Sequence, residues 1–259
     1  MVWRKGMGRF FSLCFSILIL SGFFTGSDAA AVSSDGGKKV FEKYCAVCHG
    51  VKGDAKGDVV FVRSREKSGR VIDTYPRDLT LGVFKFRTTS TGCLPMDGDL
   101  LSIVTNGIDK SYMPTFKDLS LQEKNALVGH IKTFSTRWKE EEACKPIAVK
   151  KPAWIGSPAS VERGKQVYKD LKCWECHGDE GKGDGPKSDK LKDDDGRHIV
   201  AFDFTTGKLK RGTSPENIYI TYTTGLDGTG MPSYEESAKN EEDRWHLVSY
   251  TLKLMKMVK

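Results

Sequence analysis

The segment "KYCAVCHGVKG", residues 43–53, has a pattern that returns in "LKCWECHGDEG", residues 171–181. Both stretches read Cys-x-x-Cys-His, which comprises Cys45, Cys48 and His49 in the first and Cys173, Cys176 and His177 in the second. A Cys-x-x-Cys pair alone fits a redox dithiol, half of a zinc site, or a role set by the histidine that follows. Because the whole pattern recurs, we expect both stretches to do the same thing.

The repeat extends beyond the motif. Each half begins with a helical pattern, "GKKVFEKYC" or "GKQVYKDLKC", and continues after the motif into a loop rich in glycine and charge. Later come "PRDLT" (76–80) and "AFDFT" (201–205), and then "GIDKSYMP" (107–114) and "GLDGTGMP" (225–232). The first half has the longer loop after its motif. The small residues Gly37 and Gly164 on the opening helices predict a close crossing with a second helix.

A closing helix is predicted at the end of each half. In "SLQEKNALVGHIKTF", Ser120 and Glu123 have the spacing of a capping box, and apolar residues follow at helical intervals. In "NEEDRWHLVSYTLKLMK", Asn240 precedes a similar apolar stripe as a candidate cap. We therefore expect the opening and closing helices of each half to pack together around the motif.

Residues 1–31 are predicted to be a signal peptide. Basic residues precede the apolar run 10–24, and Ala29 and Ala31 offer a cleavage site. An uncleaved anchor is the alternative, although the run is shorter than the roughly 20 apolar residues that span a bilayer. We expect export to the periplasm or an equivalent compartment, with membrane contact only if the segment remains.

The mature chain is predicted to form two domains, residues 32–145 and 159–259. Between them, residues 146–158 carry Pro146, Pro152 and Pro158, which disfavour continuous helix or sheet. The formal charge of the whole chain is +7, but no basic run interleaved with aromatic residues suggests nucleic-acid binding. Cys93 and Cys144 lie outside the motifs, and they are either a disulfide or two small buried apolar residues.

The histidines favour covalent haem attachment over the other roles of the motif. One helical turn spaces two cysteine sulfurs to meet the two vinyl groups of a haem, and the next residue, His49 or His177, then faces the iron. A zinc site made from all four motif cysteines leaves these histidines without a role. A thioredoxin-like dithiol needs a βαβ context, which the sequence lacks.

Each half also offers a sixth ligand for a haem iron. Met113 and Met231 occupy the same place in the shared pattern Gly-[Ile/Leu]-Asp-x-x-x-Met-Pro. A thioether is a soft ligand that raises the reduction potential of a haem. We therefore expect these two methionines to be distal ligands, and we expect the remaining histidines, His130, His198 and His246, to be packed or solvated.

With opening helix, Cys-x-x-Cys-His, Met-Pro and closing helix in order, each half resembles a class I cytochrome c domain. The resemblance covers nearly all of the mature chain. It implies an all-α fold of two tandem class I cytochrome c domains, each wrapping one covalent haem c that cycles between ferrous and ferric iron. It also implies that Pro186, in "CHGDEGKGDGP", offers its carbonyl to His177. The first half, "CHGVKGDAKGD", has no proline at that place.

Two six-coordinate irons imply an electron carrier between a redox donor and an acceptor rather than an enzyme. The same chain as an electron-transfer subunit of a larger oxidoreductase is the alternative. A di-haem peroxidase is a weaker one, because it needs an open iron and both halves have a distal methionine. Lysines predicted near the haem edges would attract an acidic partner, namely Lys85, Lys208 and Lys210. Asp78 with Arg77, and Asp203, sit at matching positions of the repeat and are expected to brace a loop or to face a haem propionate.

Overall fold

The computed structural model describes residues 34–65, 69–238 and 240–258. The predicted signal peptide lies outside the described residues. Within those that are described, no helix is long and apolar enough to cross a membrane.

Helices dominate both halves of the chain. The first half contains α1 (Ser34–Tyr44), α2 (Ala46–His49), β1 (Val62–Arg65), β2 (Val71–Thr74), α3 (Asp97–Asn106), α4 (Leu121–Lys132) and α5 (Arg137–Glu140). The second half contains α6 (Pro158–Asp170), α7 (Trp174–His177), α8 (Pro215–Thr224) and α9 (Glu241–Leu254), with short 3₁₀ turns at Ser188–Lys190 and Phe204–Thr206. Strands β1 and β2 pair antiparallel as a hairpin within the longer loop of the first half. The all-α prediction is thus confirmed, with this hairpin as an addition.

The opening and closing helices cross closely in both halves. Helix α1 packs on α4, and α6 packs on α9. A Cβ atom placed on Gly37 would lie 2.0 Å from the Ala126 carbonyl oxygen, and one on Gly164 would lie 2.0 Å from the His246 carbonyl oxygen. Since real Cβ atoms do not approach that closely, the two backbones meet at the glycines as the sequence predicted.

The predicted helix caps are confirmed. The Glu123 amide donates to Ser120 Oγ over 3.2 Å, and the Ser120 amide donates to Glu123 Oε2 over 2.8 Å, which completes the capping box. The Asp243 amide donates to Asn240 Oδ1 over 2.7 Å at the start of α9. These bonds satisfy amide groups that have no partner inside the helix.

Helix α6 begins at Pro158, the last residue that the sequence assigned to the linker. Proline suits the first position of a helix because its missing N–H would have no partner there. Ser157 caps the helix by accepting from the Ser160 amide over 3.3 Å. The rest of the segment contacts both halves of the chain. The Ile147 amide donates to the Thr88 carbonyl of the first half over 2.6 Å, and Trp154 packs against the core of the second half.

Each half has its own apolar core. Phe41 and Leu127 are fully buried in the first, and Trp245, Leu247 and Val248 in the second. Cys93 and Cys144 form a disulfide, which decides between the two alternatives that the sequence left open. It closes a span of 51 residues, a loop length for which chain entropy gives about 4 kcal/mol of stabilisation.

A buried arginine joins the two halves. Arg87 is fully buried, and its guanidinium donates to the Thr224 carbonyl and to Asp227 Oδ1, both at 2.8 Å. Arg211 of the second half returns a bond to the Arg87 carbonyl over 2.6 Å. Because a buried guanidinium without partners is strongly destabilising, these bonds fix how the halves meet.

Candidate haem sites

The two Cys-x-x-Cys-His motifs adopt the same backbone. Each is a single helical turn, α2 or α7, which follows directly on the opening helix. The His49 amide donates to the Cys45 carbonyl and the His177 amide to the Cys173 carbonyl, both over 2.9 Å. A glycine with positive φ ends each turn, at 73° for Gly50 and 75° for Gly178. The single turn is the spacing that haem attachment requires.

The histidines of both motifs are oriented by main-chain carbonyls. His49 Nδ1 lies 2.9 Å from the Arg77 carbonyl oxygen, and His177 Nδ1 lies 3.0 Å from the Phe202 carbonyl oxygen. A carbonyl only accepts, so Nδ1 carries the proton in each ring and Nε2 keeps its lone pair. Such a bond to the second nitrogen is the usual way in which proteins fix a histidine as a metal ligand.

Pro186 is not the partner of His177, and that expectation was wrong. The residues on either side of Pro186 bond back to the motif turn: the Gly185 amide donates to the Cys176 carbonyl over 3.1 Å, and the Lys187 amide to the Glu175 carbonyl over 2.8 Å. These bonds hold the proline against the backbone of α7. The Nδ1 proton goes instead to Phe202, which lies 25 residues after His177.

The partner carbonyls lie in the two short segments that recur in the sequence, "PRDLT" and "AFDFT". In the first, Asp78 accepts from the amide and hydroxyl of Thr80 at 2.8 and 2.6 Å. In the second, Asp203 accepts from the same groups of Thr205 at 2.9 and 2.6 Å. The aspartates therefore brace their loops, one of the two roles expected for them. The carbonyl role of these segments was missed, although their recurrence was the signal.

A cavity of about 310 Å³ brings the predicted site residues of the second half together. Its lining includes Cys173, Cys176, His177 and Met231, with apolar side chains such as Ile218. The Cys-x-x-Cys-His turn and a thioether thus face one space, bordered by apolar groups. This donor set fits a covalently attached haem with histidine and methionine on its iron.

The methionine loops also match between the halves. The Ile108 amide donates to the Met113 carbonyl and the Leu226 amide to the Met231 carbonyl, both over 3.1 Å. Met113 therefore has the same backbone setting as Met231. Both methionine side chains are half-buried.

Two other roles of the cysteines fit the structure poorly. Burial raises the pKa of Cys45 to about 11 and that of Cys173 to about 12, whereas a redox dithiol needs a thiol that ionises easily. Throughout residues 34–65, 69–238 and 240–258, no three or more His, Cys, Asp or Glu side chains are grouped to hold a metal ion. The four motif cysteines therefore do not meet as a zinc site.

Of the three histidines outside the motifs, two pack against aromatic rings and one lines the cavity. His130 packs edge-on against Phe41, with 5.4 Å between ring centroids. His246 stacks on Trp154 at 4.4 Å. His198 lines the cavity of the second half.

Two of the three lysines expected near a haem edge, Lys85 and Lys210, also line that cavity. Lys208 is exposed.

Comparisons with known proteins agree with this geometry. Residues 33–131 match the family described as "Cytochrome C oxidase, cbb3-type, subunit III", and residues 161–254 match the family described as "Cytochrome c". A solved chain of a reducing HAO-like protein complex from Kuenenia stuttgartiensis is 37% identical to this chain and superposes with a TM-score of 0.78. The match covers 87% of this chain and 96% of the solved one. No curated protein is similar enough to match.

Such domains carry covalently bound haem c and transfer electrons. Both halves contribute the same motif turn, the same carbonyl-oriented histidine and the same methionine loop. The chain belongs to the cytochrome c family and contains two cytochrome c domains in tandem.

Proposed function

We propose that the chain binds two haem c groups and passes single electrons through them. Cys45 and Cys48 attach the first haem, with His49 and Met113 as its axial ligands. In the second domain the attachment residues are Cys173 and Cys176, and the axial ligands are His177 and Met231. The observation that carries this proposal is the cavity in which the four residues of the second domain face one space.

The bound haem supplies a one-electron couple of its iron. The chain's own residues set the conditions for that couple. His177, held by the Phe202 carbonyl, presents Nε2 in a fixed direction, and Met231 adds a soft thioether that favours the ferrous state. Because a histidine and a methionine would both ligate each iron, no position would be left for a substrate, and the proposed role is that of a carrier rather than an enzyme.

Replacement of the second methionine tests the ligand assignment. In Met231→Ala we expect the potential of one haem to fall and that haem to bind exogenous ligands such as imidazole, because the thioether no longer fills the sixth position. Both haems should remain covalently attached. Redox titration followed by optical spectroscopy, with and without imidazole, measures both effects.

Met257→Ala is the matched control, since Met257 is an exposed methionine at the end of the chain. It should leave both potentials unchanged. An unaltered potential and no imidazole binding in Met231→Ala would exclude Met231 as a ligand.

We further propose that the chain works in a larger redox complex. The similar chain from Kuenenia stuttgartiensis comes from a protein complex, and nearly its whole length is covered by the match. The test is the native mass of the protein isolated from the cells that produce it. Isolation with a second, distinct redox protein supports the complex, and isolation as a single chain contradicts it.

We also propose that the protein is exported. We place the mature chain, from Val32, in the periplasm or an equivalent compartment after cleavage behind Ala31. The Cys93–Cys144 disulfide supports this, because disulfides persist mainly in oxidising compartments. Amino-terminal sequencing of the isolated protein tests the cleavage, and an intact residue 1 would contradict it.

A further inference from the structure

The first domain forms part of the wall of the second-domain cavity. Its residues 72–78, which begin in β2, line that cavity together with Lys85. Contacts hold this wall in place: Arg70 donates to the Gly183 carbonyl over 3.0 Å, and the Arg197 guanidinium lies 4.5 Å from the centre of the Tyr75 ring. The longer loop of the first domain therefore packs against the second domain.

Arg77, in this wall, reaches both sites. Its carbonyl oxygen accepts from His49 Nδ1 in the first domain. Its guanidinium lines the second cavity and lies against Gly228, where a Cβ would be 2.6 Å from Arg77 Nη1. Gly228 belongs to the loop that carries Met231 three residues later. One residue thus connects the histidine of one site with the methionine loop of the other.

Arg77 and Lys85 bring two cationic groups to the wall of the cavity. Neither makes a hydrogen bond or an ion pair through its charged group with any described residue, although both side chains are half-buried. Burial lowers the pKa of Arg77, and burial with the charges of Arg77 and Lys210 lowers the pKa of Lys85 to about 7. The nearby carboxylates of Asp193 and Asp195 oppose both shifts, but neither carboxylate bonds directly to Arg77 or Lys85. A half-buried positive charge without a direct anionic partner is costly.

The other charged groups of the cavity only partly offset these cations. Further positive side chains line it, namely Lys172, Arg197, Lys210 and Arg211. Its negative side chains are Asp73, Asp78, Asp193, Asp194 and Asp195. Asp73 is already paired with Arg63 at 2.7 Å, and Asp78 accepts from Thr80. Arg197 is paired with Asp195 at 2.7 Å, and Arg211 with Asp99 at 3.6 Å, whereas Arg77 and Lys85 lack a direct carboxylate partner among the described residues. The cavity therefore presents cations suited to an anionic group of its ligand, and the anionic groups of haem are its two propionate carboxylates.

We infer that Arg77, together with Lys85, binds the propionate carboxylates of the haem in the second domain. This rests on the proposed function, since it assigns side chains to a haem that the proposal places in this cavity. The second haem is then held by residues of both domains. Arg77 contacts its carboxylate edge through the guanidinium and orients the proximal histidine of the first haem through the carbonyl.

The Arg77→Gln variant separates these two contacts. It keeps the main-chain carbonyl that accepts from His49, but it removes the positive charge from the second site. Uncompensated propionate charge stabilises ferric iron, so we expect the potential of the second haem to fall while that of the first stays nearly constant. The Met231→Ala variant identifies which step of the redox titration belongs to the second haem.

A vibrational measurement reports on the contact itself. The propionate bending bands in the resonance Raman spectrum respond to hydrogen bonds on the carboxylates. We expect them to shift in Arg77→Gln and to return towards the wild-type position in Arg77→Lys, which restores the charge. A purely structural role of Arg77 would not produce this pattern. Lys38→Gln, at an exposed site on α1, removes the same charge and should change neither the bands nor the potentials.

Lys85→Gln is the second variant, and it stands alone if Arg77→Gln does not fold. It should also lower the potential of the second haem. Unchanged second-haem potentials and propionate bands in these variants would overturn the inference. So would a fall of the same size in Lys38→Gln, because the effect would then come from net charge alone. Two haems per chain by intact mass in every variant would leave the proposed function standing whichever way the potentials turn out.

Discussion

Replacement of Cys173 and Cys176 together by alanine is expected to remove one covalent haem and to leave the other. The proposed function makes the two sulfurs the attachment points in the second cavity, and no other free cysteine lines it. The mass of the denatured chain should fall by one haem group, and the absorbance of the haem should halve. Because the proposed haem would fill the cavity beside the second core, that domain should also lose stability without it.

The matched variant is the double replacement of Cys45 and Cys48. It should likewise leave one haem, now the one in the second domain. Replacement of Cys93 and Cys144, which form the disulfide, should leave both haems attached. A wild-type haem content in either motif variant would refute the attachment sites.

The second large effect is expected at the crossing of α6 and α9. Gly164→Ala places a methyl group where the His246 carbonyl oxygen is 2.0 Å away, and Tyr250 Cβ is only 2.8 Å away. The helices must separate to admit it, which disturbs the packing of the second core. We expect a loss of about 3 kcal/mol or more in the free energy of unfolding, at the upper end of overpacking effects. Chemical denaturation of the haem-loaded protein measures it.

Gly129→Ala is the matched control, because Gly129 also lies within a closing helix but has no atom within 4 Å of an added Cβ. Alanine has a higher helix propensity than glycine, by up to about 1 kcal/mol. The control should therefore keep or raise the stability. Equal effects of the two substitutions would show that the close crossing does not explain Gly164.

The features that the sequence predicted well depend on neighbouring residues. The capping box of Ser120 and Glu123 spans one helical turn, and the Cys-x-x-Cys-His turn spans five residues. The glycine at each helix crossing was visible because the opening helix recurs, and a small residue kept in both copies marks a close approach. Repetition of "GIDKSYMP" as "GLDGTGMP" placed the two methionine loops in the same backbone setting.

The features that it did not predict depend on residues far apart in the chain. The partner of His49 lies 28 residues away, and it is a main-chain carbonyl, which any residue type supplies. The side chains of Arg77 and Phe202 therefore give no indication in the sequence that their carbonyls bind the histidines. The Cys93–Cys144 pairing needed the 6.2 Å between the two Cα atoms, which spacing in the sequence does not give. The wall that the first domain adds to the second cavity is likewise a product of how the domains pack.

We propose that one chain holds two haems, each ligated by histidine and methionine. The most direct test is the optical spectrum of the purified protein in both oxidation states, with the haem counted as its pyridine derivative. We expect two haems per chain, low-spin spectra and a methionine-to-iron charge-transfer band of two-haem intensity in the oxidised form. One haem per chain, or a high-spin component without that band, would contradict it.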